Sequence, residues 1–279
     1  YLIDILIYVM LIPKKELMPK IKTNKIIPAT YDPVFKAVMQ SKRCRRYLVE
    51  ILGDITKIPK NIIRERLVFE NTELPIKNIN EKRKITDLVI RIEHNVINLE
   101  MNNSYYDGLL ERNEAYLSNL KNISVGEKYS SINKIIQINF DNFDKYENTI
   151  MKFVMMDEKT HIKETENYEK YHINLKKIKE KYYNKEKLDD LERRLVILTI
   201  SDKYDLEDIA KEDDIMEDVK NEIIELSEEQ AMVLCYDEDE YREFVRRKVT
   251  ETEVREGIEK GILIDDADKK IIDEQIKEL

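Results

Sequence analysis

Two carboxylates and one amide, Asp87, Glu100 and Asn102, lie within a short stretch in which apolar and polar residues alternate. Such alternation predicts β-strands, and residues 84–102 can be read as one hairpin that carries all three polar side chains on one face. Two carboxylates that approach each other across a hairpin suit a single hard cation such as Mg²⁺, which prefers oxygen ligands. The hairpin is therefore a candidate metal site.

The register of the hairpin follows from its turn, which we predict at His94-Asn95. With an even-numbered turn there, Asp87 faces Asn102 across the hairpin. Glu100 then becomes a diagonal neighbour of Asp87, with Cβ atoms roughly 7 Å apart. A slip of one residue would mix apolar and polar side chains on each face, so the pattern itself supports this register. The predicted apolar face holds Leu88, Ile90, Ile92, Ile97, Leu99 and Met101.

Four segments with recognisable patterns follow one another along the first half of the chain. They are DPVFK at 32–36, INLEMN at 97–102, Glu111-Arg112 with Tyr116, and GEKYSSINKIIQINF at 126–140. This series resembles the PD-(D/E)xK nucleases, and most closely the transposase-like branch known as the recombination-promoting nuclease family. The motif of an Asp followed by Glu-x-polar is weak alone, but the ordered series is more specific, and it covers residues 28–141 well.

The resemblance implies a fold in the mixed α/β (α+β) class, with a restriction-endonuclease-like α-β-β-β-α-β core and a helical C-terminal extension. The residue patterns predict the same order of elements. They indicate a helix from Pro33 to Gly53 with Asp32 as N-cap, a strand from Leu67 to Leu74, the hairpin, a helix from Ser104 to about Lys121 and a strand from Lys134 to Phe140. Further strands are predicted at Thr149–Met156 and Tyr171–Leu175, with helices from about Lys185 onward.

The resemblance also implies roles for the hairpin residues. Asp87 and Glu100 would be ligands of Mg²⁺ or Mn²⁺, and the backbone carbonyl of Met101 would complete the shell. The cation would polarise a scissile phosphate and lower the pKa of an attacking water. From the residues alone, the alternative is that both carboxylates are ordinary solvent-exposed side chains of an amphipathic hairpin.

Asn102 departs from the pattern of the wider superfamily, in which this position often holds a Lys that orients water and stabilises charge on the phosphate. The resembling branch often has Gln there. An amide can orient water by hydrogen bonding but brings no positive charge, and Asn is shorter than Gln. The departure therefore bears on the rate of catalysis and not on metal binding.

Other residues have two readings that the sequence leaves open. Glu73 lies at the end of the first predicted strand and is either a third carboxylate of the site or an exposed loop acid. Glu50 is a weaker candidate for an outer ligand. Arg112 and Tyr116 share a helix face at i and i+4, where they either contact phosphate or pack and pair nearby.

The charge distribution is asymmetric although the net charge is −9. Residues 14–66 contain 14 Lys and Arg against 5 Asp and Glu, whereas residues 205–240 contain 16 acidic residues against 2 basic ones. An acidic protein can bind DNA if its basic part contacts the phosphates. The candidate phosphate contacts are Lys36, Lys42, Arg43, Arg45, Arg46 and Arg112. The alternative is that the basic residues at 42–46 only form a solvent-exposed face of a helix.

Composition indicates a helix-rich protein, because 38% of residues are charged and only five are Gly. Two isolated Cys residues without metal-type spacing favour a reducing cytoplasm. The apolar segment 1–12 is too short to span a bilayer, lacks a basic flank and contains Asp4, so no membrane partner is expected. We interpret residues 1–17 as extra translated sequence ahead of a start at Met18, with a core strand or partner-binding segment as the alternative.

We predict four parts of the chain: an N-terminal extension at 1–27, a nuclease-like core at 28–141, a strand-then-helix extension at 142–236 and a charged helical tail at 237–279. The tail contains an EGIxKGI repetition at 256–262 and is a candidate for self-association.

The leading functional hypothesis is a metal-dependent DNA endonuclease associated with recombination, mobile elements or defence. The main alternative is a catalytically lapsed nuclease fold that binds DNA or a protein. A third reading is an interaction protein whose acidic region serves as a docking surface or mimics DNA.

Overall fold

The computed structural model describes residues 25–72, 86–120, 133–211 and 213–228. Its centre is a six-stranded mixed sheet with the strand order β1-β2-β3-β4-β6-β5. The strands are β1 Leu67–Glu70, β2 Leu88–Ile92, β3 Asn95–Asn102, β4 Lys134–Asp141, β5 Ile150–Val154 and β6 Tyr168–Asn174. The predicted mixed α/β class is therefore confirmed.

Three central strands run parallel, because β3 pairs with β4 and β4 pairs with β6 in the same direction. The two outer pairs, β1 with β2 and β5 with β6, are antiparallel, as is the hairpin of β2 and β3. The parallel strands end together at one edge of the sheet, at Asn102, Asp141 and Asn174. Polar side chains from distant parts of the sequence meet at this edge.

Helices cover both faces of the sheet. They are α1 Asp32–Gln40, α2 Arg45–Thr56, α3 Lys60–Arg66, α4 Leu109–Leu120, α5 Leu175–Tyr183, α6 Asp190–Val196, α7 Lys203–Ala210 and α8 Asp214–Glu228, with a 3₁₀ turn at Ile197–Thr199. In the described part of the chain, no helix has the length and apolar composition that crossing a membrane requires.

The main hydrophobic core lies on the sheet face that carries Ile90 and Leu99. Helices α1, α2 and α5 to α8 contribute to it, and the rings of Phe35 and Phe140 meet there edge to face at 5.4 Å between centroids. A smaller apolar cluster on the opposite face includes Val89 and Leu117 of α4. Helix α4 thus covers the face on which the polar residues of β3 lie.

The predicted register of the hairpin is wrong by two residues, although the predicted faces are correct. The turn lies at Glu93-His94 and not at His94-Asn95, and Leu88 pairs with Leu99. Continuing this register by one residue places Asp87 opposite Glu100 instead of Asn102. The turn is compatible with a two-residue hairpin because Glu93 has φ 51°, the left-handed conformation that such turns need.

The single helix predicted from Pro33 to Gly53 is two helices, α1 and α2. The chain leaves the helical conformation at Ser41, whose hydroxyl accepts a hydrogen bond from the amide of Arg43. Local bonds of this kind compete with the helix for backbone partners. Asp32 is not the N-cap, since that position is Tyr31 and Asp32 opens the helix itself.

Several other boundaries differ from the predictions. Helix α4 begins at Leu109 and not at Ser104, and β1 ends at Glu70. The strand predicted at Tyr171–Leu175 begins at Tyr168, and it runs directly into α5, which the sequence did not predict. The side chain of Asn174 caps that helix by accepting a hydrogen bond from the Lys177 amide.

The C-terminal part of the described chain is built into the same sheet and core. Strands β5 and β6 extend the sheet, and the Ser227 hydroxyl near the end of α8 accepts a hydrogen bond from the Ile27 amide. The predictions for residues 1–24, for Glu73 and for the tail at 237–279 fall outside the described residues.

Candidate active site

Asp87 is fixed beside β3 by a backbone contact. Its Oδ2 accepts a hydrogen bond from the amide of Met101 at 2.8 Å, and its Oδ1 lies 3.0 Å from the Nζ of Lys36. Because Met101 follows Glu100, this contact holds the two predicted metal-binding carboxylates next to each other. The side chain of Asp87 is only 14% exposed, so it is not an ordinary solvent-facing residue.

Glu100 is buried, with 2% of its surface exposed. The amide of Asn98 donates a hydrogen bond to Oε1 at 3.0 Å, and the guanidinium of Arg112 lies 3.7 Å from Oε2. Burial and the nearby Asp87 carboxylate raise the pKa of Glu100 to about 8, while Arg112 and Asn98 act in the opposite direction. The site therefore holds a carboxyl group that ionises unusually late when no cation is bound.

Helix α1 brings two charged side chains to the same place. Burial acts to lower the pKa of Lys36, but Asp87, Asp32 and Glu100 raise it, so the ammonium is stabilised. Burial and the proximity of Asp87 raise the pKa of Asp32 to about 6, although Lys36 and Arg112 act to lower it. Asp32 is thus near enough to Asp87 for the two negative charges to repel each other.

Sequence reasoning missed Asp32 because it assigned this residue to helix capping. Two signals were present in the sequence. Asp32 opens the DPVFK segment on which the family resemblance partly rests, and it precedes Lys36 by four residues, which places both on one helix face.

Arg112 reaches the site from α4. Its Nη2 donates hydrogen bonds to Oδ1 of Asn102 at 2.8 Å and to Oδ1 of Asn113 at 3.2 Å. The guanidinium also lies near the rings of Tyr106 and Tyr116, at 5.8 and 5.5 Å from their centroids. These contacts place the positive charge of Arg112, whose side chain is 35% exposed, beside the buried Glu100.

Asn102 is buried and uses both ends of its amide. While Oδ1 accepts from Arg112, Nδ2 donates to Oδ1 of Asp141 at 2.8 Å. The other oxygen of Asp141 lies 2.7 Å from Nδ1 of His172 on β6. A chain of polar contacts therefore runs from His172 through Asp141 and Asn102 to Arg112.

The other predicted phosphate contacts lie in different surroundings. Arg43 forms an ion pair with Glu225 at 2.9 Å, and Arg46 forms one with Asp218 at 3.0 Å, so both are held by α8. Arg45 donates a hydrogen bond to the carbonyl of Leu67. Lys42 is exposed in the loop between α1 and α2.

Glu50 is likewise held elsewhere. Its carboxylate lies 2.8 Å from Lys60 and 3.5 Å from Arg194, within an ion-pair cluster of α2, α3 and α6. Of the predicted charged residues, the structure thus gathers Lys36, Asp87, Glu100 and Arg112, and it adds Asp32.

The carboxylate oxygens of Asp87 and Glu100 are the kind of ligand that a hard divalent cation prefers. The raised pKa of Glu100 has the cause expected of such a site, namely burial together with a second carboxylate. As they stand, the described residues contain no group of three or more His, Cys, Asp or Glu side chains arranged to hold a metal ion. Lys36 occupies one oxygen of Asp87, so its ammonium would have to share that carboxylate with a cation.

Comparison with known proteins gives one match that covers most of the chain. The family model described as PD-(D/E)XK nuclease family transposase matches residues 29–253. No individual curated protein is similar enough to the chain to be counted as a relative. The matched range includes the whole sheet and every charged residue of the candidate site.

Proposed function

The chain belongs to the PD-(D/E)XK nuclease family transposases, and we propose that it is a metal-dependent endonuclease that hydrolyses phosphodiester bonds of DNA. The observation that carries this proposal is the pair of Asp87, which is partly buried, and Glu100, which is buried, with the Lys36 and Arg112 cations around it. Carboxylates bind a divalent cation, and flanking cations bind phosphate, so the arrangement provides for both requirements of phosphodiester cleavage.

We assign the cation, Mg²⁺ or Mn²⁺, to Asp87 and Glu100, with the Met101 carbonyl as a further ligand and Asp32 as an additional carboxylate nearby. When bound, the cation acts as a Lewis acid towards the scissile phosphate and lowers the pKa of a water molecule. Both Asp87 and Glu100 are positioned by protein contacts, since Met101 holds the first and Asn98 holds the second.

The chain's own cations neutralise the phosphate as charge develops on it. In the hydrolysis, the oxygen of a water molecule forms a bond to phosphorus while one bridging P–O bond breaks. The water gives up one proton and the leaving oxygen gains one, which yields a phosphate monoester end and a hydroxyl end. Lys36 and Arg112 remain protonated and stabilise the transition state by electrostatic attraction.

A second candidate function is a nuclease fold that binds DNA without cutting it. The observation that favours it is that Asn102 brings no positive charge and that both ends of its amide already make protein contacts. In either case we propose DNA as the partner and recombination, mobile elements or defence as the setting.

The two functions are separated by incubating the purified chain with supercoiled plasmid in Mg²⁺, in Mn²⁺ and in chelator. An endonuclease converts the plasmid to nicked and linear forms only with the divalent cation, and Glu100→Gln abolishes this conversion. Binding of the plasmid without any cleavage would reject the endonuclease and support the second candidate.

A further inference from the structure

We infer that Asn102 is a positioning residue that holds Arg112 beside Glu100, and that Arg112 supplies the positive charge missing at position 102. The inference rests on the proposed function, in which that charge stabilises the phosphate. It differs from the sequence expectation that the Asn102 amide itself orients the attacking water.

The partners of Asn102 fix the orientation of its amide. The guanidinium of Arg112 only donates hydrogen bonds, and the carboxylate of Asp141 only accepts them. The amide can satisfy both partners in one orientation alone, with its oxygen towards Arg112 and its nitrogen towards Asp141. An amide engaged in this way has its oxygen directed at Arg112.

Asp141 is itself held in place by a neighbouring strand, and this helps to fix the orientation of the Asn102 amide. It is the register partner of Asn102 in the parallel pairing of β3 and β4, and Nδ1 of His172 donates to its second oxygen. All three side chains are buried. Buried, paired polar groups of this kind have little freedom to rotate, because any other rotamer would leave one of them without a partner.

Within the described part of the chain, one nitrogen of Arg112 is left without a hydrogen bond and can bind a ligand. Its Nε and Nη2 donate to Asn113 and Asn102, whereas Nη1 makes no hydrogen bond to any of the residues that the structure describes. The rings of Tyr106 and Tyr116 restrict the plane of the guanidinium. Nη1 carries two N–H groups, so Arg112 can donate to phosphate oxygens without breaking its contacts to the two amides.

Lys36 is the other cation at the site, but its contacts differ. Its ammonium lies 3.0 Å from Asp87, a proposed ligand of the cation, and its side chain is 38% exposed. A bound cation would compete with Lys36 for that carboxylate. Arg112 is held chiefly by neutral amides, and it can therefore keep its position when the cation binds.

A double-mutant cycle on single-turnover plasmid cleavage at saturating Mg²⁺ tests this inference. We expect Arg112→Ala to slow cleavage by about 10²-fold or more, as removal of one stabilising donor does. Asn102→Ala should slow it by about tenfold, and the double variant should be no slower than Arg112→Ala, because Asn102 acts through Arg112. Losses that multiply in the double variant would show that Asn102 acts independently and would overturn the inference. The matched control is Arg193→Ala, an exposed arginine of α6 that pairs with Asp190.

Chemical rescue by added guanidinium distinguishes the positioning role of Asn102 from a purely structural one. Millimolar guanidinium should restore part of the activity of Arg112→Ala, because the small cation can occupy the vacant place beside the Asn102 oxygen. It should restore less in the double variant, in which that oxygen is missing. Equal rescue of the two variants would contradict the positioning role.

Removal of the buried amide deprives Oδ1 of Asp141 of its donor from Asn102 and can prevent folding, which thermal unfolding would reveal. In that case Asn102→Thr takes its place in the cycle. Its hydroxyl can donate to Asp141, but the side chain is too short to offer an oxygen to Arg112. The same non-additivity with Arg112→Ala is expected, and additive losses again overturn the inference.

DNA affinity separates a failure of this inference from a failure of the proposed function. If the wild type never cuts DNA, the endonuclease proposal fails, but the cycle is still measured by fluorescence anisotropy of labelled DNA in Ca²⁺. Arg112→Ala should reduce the affinity and lower the slope of log K against log salt by about one. Asn102→Ala should also reduce the DNA affinity and the magnitude of the salt slope, and the double variant should show no further loss of either. Unchanged affinity in either single variant would reject the inference.

Discussion

Asp87 accepts a hydrogen bond from the backbone amide of Met101, with 2.8 Å between Oδ2 and N. Asp87 precedes its strand, so this bond and not the strand ladder holds its carboxylate beside Glu100. The two carboxylates are close and poorly hydrated, and the pKa of Glu100 rises to about 8 as a result. We therefore expect a cation that binds this pair to stabilise the fold.

The first prediction concerns the pH dependence of stability without metal. A carboxyl whose pKa rises from about 4.5 to about 8 on folding binds more protons in the native state between these values. Its contribution is therefore favourable at low pH, is lost as pH rises from about 4.5 to about 8, and is constant above that. We expect the loss to reach the order of 1 kcal/mol per pH unit. Glu100→Gln should remove this decline and stabilise the metal-free protein at pH 8.

Urea unfolding in chelator at pH 5, 6.5 and 8 measures this effect as the difference between wild type and Glu100→Gln. Glu192→Gln is the matched control, because Glu192 is also buried but Lys181 and Thr149 hold its pKa below the ordinary value despite burial. Glu192→Gln should lower the free energy of unfolding at pH 6.5 and 8, and the fall of stability with rising pH should remain. If the stability of the wild type falls with rising pH no faster than that of Glu100→Gln, folding does not raise the pKa of Glu100.

The second prediction concerns the cation. A ligand that binds only the folded state stabilises it, by about 2.7 kcal/mol at a concentration of 100 Kd. Mg²⁺ should therefore raise the melting temperature of the wild type, and Asp87→Asn or Glu100→Gln should abolish the increase. Asp144→Asn, which removes an exposed carboxylate paired with Lys176, should leave it intact. Titration calorimetry gives the affinity, and equal affinities in wild type and Asp87→Asn would exclude this pair as the metal site.

The sequence was sufficient to predict which residues share a face of the hairpin but not which residues face each other. Side chains alternate with a period of two, so a shift of two residues changes every cross-strand pair and leaves both faces unchanged. The pattern therefore could not distinguish an Asp87–Asn102 pair from an Asp87–Glu100 pair. Turn conformation decided the register, and it depends on the left-handed conformation of Glu93, which no residue type signals.

Long-range contacts account for the rest of what the sequence could not predict. The basic residues Arg43 and Arg46 meet acidic partners on α8 that are more than 170 residues away in the chain. In the same way, the polar face of β3 is buried because α4 covers it, so Glu100 and Asn102 are not solvent-facing. Alternation indicates two faces, but the burial of each depends on which helices pack there.

The third prediction concerns Lys36, which shares Asp87 with any bound cation. Lys36→Met should increase the affinity for Mg²⁺, because an ammonium 3.0 Å from the carboxylate competes with the metal and repels it. The same variant should weaken DNA binding and slow cleavage, since one phosphate contact is lost. Calorimetry with Mg²⁺ and anisotropy with DNA are measured on the same preparation. Parallel losses in both affinities would mean that Lys36 supports the fold of the site and does not compete with the metal.

The last prediction separates the basic residues that contact phosphate from those that stabilise the fold. Arg43 and Arg46 are paired with Glu225 and Asp218, so we expect Arg43→Gln/Arg46→Gln to leave DNA affinity and its salt dependence unchanged. Lys36→Gln/Arg112→Gln removes the same formal charge from the candidate site. It should weaken binding to all DNA sequences similarly and reduce the salt slope by about two.

Fluorescence anisotropy at several salt concentrations compares these two double variants directly, and their equal charge makes each the control for the other. Thermal unfolding of both confirms that the fold is retained. The ion pairs with α8 hold the arginines against carboxylates, and a phosphate could gain them only by displacing those partners. A larger loss of affinity in Arg43→Gln/Arg46→Gln than in Lys36→Gln/Arg112→Gln would move the DNA-binding surface away from the carboxylate pair, and the assignment of that pair as the catalytic centre would then fail.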